Sequence, residues 1–139
     1  MLWPWQSYDD GAVEITAIEV ISILKPFGKV RSPRDKNYLV LAPGRGRALL
    51  IMPDMNWHAE FPDCDDLTRV AIGNALQRAY DHGLRGRAPL LGPVTMIMPS
   101  GNAHQVPFMV WVGDPRPVYL RQDGLWTDVM PGKDAYFEP

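Results

Sequence analysis

The chain has 139 residues and a net charge of -2, with 46% hydrophobic and 22% charged residues. That balance suits one compact domain and excludes disordered and fibrous classes. A lone cysteine, Cys64, excludes an internal disulfide and a multi-cysteine zinc site.

The first eleven residues carry Trp3 and Trp5 around Pro4 and read as an aromatic N-terminal segment of a single domain over residues 1–139. They lack a basic start and a cleavage pattern, so a secretory signal is not expected. The longest apolar runs, such as Phe108 to Val112, fall far short of the roughly 20 residues that cross a bilayer. A cytoplasmic location is the expectation, with no membrane partner.

Val13, Ile15, Ala17, Ile18, Ile21 and Leu24 form a helical stripe that Pro26 and Gly28 would stop. A basic, proline-interrupted loop follows over residues 29–37. Tyr38 to Ala42 and Arg47 to Met52 are two β-type runs separated by Pro43, Gly44, Arg45 and Gly46, which predicts a hairpin with Arg45 at its tip. The clearest helix runs from about Leu67 to His82, capped by Asp65 or Asp66 and stopped by Gly83. Gly73 inside it is either tolerated at a cost or approached closely by another backbone. Strand-like runs then occupy 94–98, 108–112, 118–121 and 125–129, the last two around an Asp-Gly turn. This order predicts an α+β fold, with a mainly antiparallel sheet of about five to six short strands, one long covering helix and an N-terminal helix.

Charge is sorted along the chain. Lys25, Lys29, Arg31, Arg34, Lys36, Arg45 and Arg47 face one acid, Asp35, whereas Asp54, Glu60, Asp63, Asp65 and Asp66 face no cation. Lys29, Arg31, Arg34, Lys36, Arg45 and Arg47 are the candidate anion-binding set. Trp57 lies beside the acids, and an exposed aromatic flanked by charge typifies protein-binding surfaces. Trp57, Asp54, Glu60, Asp63, Asp65 and Asp66 are therefore the candidate partner-binding set. Part of that acidic run is also expected to cap the long helix.

The candidates for chemistry are weaker. His58-Ala59-Glu60 and Pro99-Ser100-Gly101-Asn102-Ala103-His104-Gln105 look similar, in order and spacing, to the two motifs of zinc-dependent cytidine deaminases, but Ser100 and Ala103 replace both thiolate ligands. His58, Cys64, His82 and His104 lack the spacing of a metal site, His58 and His104 being assigned to polar loops and His82 to a helix C-terminus. Cys64 as a nucleophile is opposed by Asp63, Asp65 and Asp66, with a helix N-terminus a partial offset. No catalytic residue, metal or cofactor is assigned. The leading expectation is a non-catalytic binding protein that docks a protein partner, in the style of immunity proteins, antitoxins and phage inhibitors. The alternatives are an enzyme acting on a phosphorylated or nucleotide substrate, with Arg45 and Arg47 as clamps and His58, Glu60 or His104 as acid and base, and a nucleic-acid-binding accessory protein using the basic region.

Overall fold

A computed structural model describes residues 12–55, 63–84, 86–98, 100–130 and 135–139. Trp3, Trp5, Trp57, His58 and Glu60 lie outside the described residues. The fold is α+β, as its order of elements indicates, with three α-helices and two sheets among the described residues.

Strand β1 (Val13–Thr16) runs directly into helix α1 (Ala17–Leu24). The apolar stripe that predicts one helix from Val13 is thus split, and the reason is local. Thr16 and Glu19 form a reciprocal capping box: the Glu19 N–H donates to Thr16 Oγ1 at 3.3 Å, and the Thr16 N–H donates to Glu19 Oε1 at 3.1 Å. This satisfies donors that a helix start leaves orphaned, so the helix begins there. A 3-10 turn over Lys25–Phe27 ends it, and short β2 (Lys29–Val30) follows.

Strand β3 (Asn37–Val40) confirms the first arm of the expected hairpin; the second arm is absent. Helix α2 (Pro43–Leu49) stands in its place. Pro43 occupies the first helical turn, where its missing N–H costs nothing. Gly46 lies against the Trp111 ring, so the helix packs down where a side chain would not fit. Arg45 and Arg47 therefore sit on a helix, with Arg47 5.7 Å above the Trp111 ring.

The long helix is α3 (Cys64–Asp81), and it buries Leu67, Thr68, Ala71, Ala75 and Ala79. Small alanines let it lie close to the sheet. Its N-cap is Asp63 rather than Asp65 or Asp66, in a reciprocal box with Asp66. His82 is the C-cap. The remaining strands are β4 (Ala88–Pro89), β5 (Leu91–Ile97), β6 (Ala103–Trp111), β7 (Asp114–Leu120), β8 (Trp126–Asp128) and β9 (Ala135–Phe137).

Sheet order is β1-β3-β4 in the small sheet and β2-β9-β5-β6-β7-β8 in the large one. Pairing is mixed: β2 with β9 and β3 with β4 are parallel, and the other pairs are antiparallel. A bridge between Leu41 and Trp111 joins the two sheets. Side chains alternate across the large sheet. Val106, Phe108 and Val110 of β6 pack with Val20 and Leu24 of α1, while Met109 and Trp111 pack with Ala71, Ala75 and Ala79 of α3. Each helix thus covers its own face, and this parity decides which polar residues can meet.

Candidate functional site at the head of helix α3

Cys64 is the first residue of α3 and is half-buried. First-turn N–H groups of a long helix present a partial positive charge, which favours negative charge at this end. Buried Thr68, one turn on, anchors the position: its hydroxyl lies 2.7 Å from the Cys64 carbonyl and 3.0 Å from the Gln105 carbonyl of β6. The head of the helix is therefore held one hydroxyl away from β6. Gln105 shares the α3 face with Met109 and Trp111, and its side-chain amide donates to Thr95 Oγ1 on β5 at 3.3 Å. The Thr68 hydroxyl thus ties the first residue of α3 to the strand that carries Gln105.

His104 stands next to Gln105 in sequence and therefore on the opposite face. It pairs across β5 with Met96 and lines a shallow hollow of about 430 Å³ with Tyr119, Arg121 and Asp123. Burial holds its imidazole below the usual histidine range. The expected polar loop around His104 is instead strand β6, on which His104 has the parity opposite to Gln105. His82, as expected, ends a helix, at the far end of α3 from Cys64.

The acidic run divides. Asp54 is exposed after α2. Asp63, Asp65 and Asp66 converge, with carboxylate oxygens within 4.8 Å of one another. A hydrogen bond shared with Asp65, reinforced by Asp66, pushes the Asp63 carboxyl up to about 6, and the same bond from Asp63 holds Asp65 below the ordinary value. Three carboxylates could in geometry hold a cation, yet the helix dipole opposes positive charge at this end and accounts for the acids without one. Within the partner-binding set, the structure brings together Asp63, Asp65 and Asp66 as a helix cap; Trp57 and Glu60 fall outside the described residues.

The basic run also divides. Arg31 and Arg34 line one groove with Arg69 of α3, which sequence spacing did not associate with them, and Lys36 lines the adjoining hollow. Arg31 is paired with Glu138 at 2.9 Å. Lys29 is exposed on β2, and neither Arg45 nor Arg47 lines the groove. Arg45 stands on α2 rather than at the expected hairpin tip.

No family model matches the chain, and no curated protein matches it. Solved structures do. The chain of the PSL1a-E64 complex aligns with a TM-score of 0.69 and 22% identity, over 89% of this chain and 50% of that one. Polyporus squamosus lectin, solved with the human-type influenza-binding epitope Neu5Aca2-6Galb1-4GlcNAc, aligns with a TM-score of 0.65 and 20% identity, over 89% of this chain and 49% of the lectin. The fold is shared, and this chain spans about half the length of the chains it matches.

Proposed function

We propose that the chain is a cysteine-dependent domain whose chemistry centres on Cys64 at the head of α3. The observation that carries the reading is the seat of that residue: half-buried Cys64 opens an 18-residue helix, and its carbonyl and that of Gln105 on β6 both lie within hydrogen-bond reach of the Thr68 hydroxyl. Helix N-termini are a recurrent setting for reactive cysteines. The reaction class is acyl transfer to water. The sulfur adds to a carbonyl carbon, the leaving group departs with a proton, and water then cleaves the thioester. A side-chain amide such as Gln105 is the type of donor that stabilises the oxyanion of such a step. Asp63 precedes the thiol, its carboxyl lies near 6, and its Oδ1 is buried without a hydrogen-bond partner among the described residues. Asp63, the residue before Cys64, is assigned as the acceptor of the thiol proton, and the helix N-terminus offsets the charge with which Asp63, Asp65 and Asp66 oppose the thiolate. The likeness to a chain captured with E64, an epoxide reagent that alkylates thiols, supports the same reading.

The test uses E64 itself. Opening of its epoxide by the sulfur forms a C–S bond and breaks a C–O bond, and the alkoxide takes a proton from water, leaving a stable mass increase. The folded chain is expected to be labelled much faster than the urea-unfolded chain at pH 7, with a rate that falls below pH 6 and no adduct in Cys64→Ser. Equal rates for folded and unfolded protein would remove the reading.

The protein-docking reading in the immunity or inhibitor style would rest on Trp57 and Glu60 together with acids that also serve as a helix cap. The carbohydrate complex belongs to a lectin chain about twice this length, and no arrangement among the described residues favours a sugar over other ligands. For a nucleotide-directed enzyme, Arg45 and Arg47 stand on α2 and His104 on β6, and His58 and Glu60 lie outside the described residues. Among the described residues no helix is long and apolar enough to cross a membrane.

A further inference from the structure

A groove runs along the outer side of α3, apart from the thiol. Its helical wall is the stripe Ile72, Leu76 and Tyr80, spaced to lie on one face; Leu76 is 44% and Tyr80 55% exposed. The other wall is the segment before β3 together with β4, the edge strand of the small sheet. Two hollows of about 390 and 410 Å³ adjoin there, since Asp35 and Ala88 line both. Gly73 keeps the floor open: a Cβ at that position would meet nothing within 4 Å.

The rim is cationic although the whole protein carries -2. Arg31, Arg34 and Arg69 stand at one end, and Lys36 and Arg87 at the other. Glu138 is already held by Arg31, Arg87 is paired with Glu14 at 2.8 Å, and Arg69 lies 3.7 Å from Asp65. Attraction for a ligand therefore comes mainly from Arg34 and Lys36, which flank Asp35. Exposed apolar side chains and a cationic rim match an extended chain whose apolar residues meet the helix while its carboxylates meet the rim. A nucleic-acid backbone fits less well, because it gains nothing from the apolar stripe and would face Asp35 and Glu138.

We infer that this groove binds an extended peptide segment of alternating carboxylate and apolar side chains. The probe is a fluorescein-labelled peptide, Asp-Leu-Glu-Phe-Asp-Leu-Glu-Ser, titrated into the full chain, with amide shifts mapped by NMR. Binding should saturate and should move residues 31–38, 69–80 and 86–89. Arg34→Glu with Lys36→Glu should weaken it roughly tenfold. Gly73→Leu, which fills the floor and adds a better helix former, should abolish it with no fall in Tm. The inference is overturned if no binding is seen at millimolar peptide, or if a peptide with Lys at every acidic position binds equally. It is also overturned if charge reversal leaves affinity unchanged, if single-stranded DNA occupies the same residues more tightly, or if the chain self-associates through this face in sedimentation until Gly73→Leu prevents it.

Discussion

At the residue scale, Asp63 joins the sequence to its local electrostatics. The run Asp63-Cys64-Asp65-Asp66 offers several caps, and a one-dimensional reading favours the acids nearest Leu67. The structure uses Asp63, because a helix starting at Cys64 lets Asp63 and Asp66 cap each other's backbone N–H groups. Proton sharing with Asp65 then raises its carboxyl to about 6 from an ordinary 3.8. Between those values the folded chain holds a proton that the unfolded chain has lost. Stability contributed at this site is therefore lost as pH rises from about 4 to 6. The lowered Asp65 acts in the opposite sense, and its window lies below 3.8. Asp63→Asn keeps an N-cap oxygen and removes the titration. Thermal melts followed by circular dichroism should show a decline in Tm from pH 4 to 6 that is flatter in this variant; identical slopes would assign the titration elsewhere. Cys64 belongs to this scale too. Its acidic neighbours were plain in the sequence, but the clamp from Thr68 to β6 was not, because a contact across 37 positions leaves no local pattern.

At the element scale, two glycines give opposite expectations. Gly46 on α2 abuts the Trp111 ring, whereas Gly73 on α3 faces open space. Gly46→Ala should destabilise the protein by about 1–3 kcal/mol, because the ring would have to move within a packed cluster. Gly73→Ala should stabilise it by up to about 1 kcal/mol through helix propensity. Urea denaturation of both variants checks the pair, and a stable Gly46→Ala would mean that α2 does not dock on Trp111. The same elements show how far local signals reach. The long helix and the strand runs at 94–98, 108–112, 118–121 and 125–129 were legible, since their periodicity, Gly83 stop and Asp-Gly turn are local, whereas the first half of β6 and all of β9 were not. Helix α2 was not, because its β-type residues are overruled by Pro43 in the first turn and by packing against Trp111. The capping box that splits β1 from α1 was visible at Thr16 and Glu19, and the longer apolar stripe masked it.

At the scale of the whole molecule, β9 is the keystone. It lies between β2 and β5, parallel to one and antiparallel to the other, so residues near positions 30, 94 and 137 are tied into one sheet. Phe137 is fully buried and meets Phe108 edge-on, with centroids 5.0 Å apart. Phe137→Ala should cost about 3–5 kcal/mol, read as a lowered urea midpoint at constant slope; a loss under 1 kcal/mol would mean that this core tolerates the cavity. The sequence by itself determined the α+β class, the long helix and its acidic head, because hydrophobic periodicity, caps and turns act over a few residues. Only the tertiary structure decided which groups meet. Strand parity on β6 set Gln105 on the face that α3 covers and His104 on the opposite one, and packing of α3 against the edge of the small sheet brought Arg69 beside Arg31 and Arg34. Both outcomes depend on register and on which face a helix covers, and these are set by burial summed over the whole core.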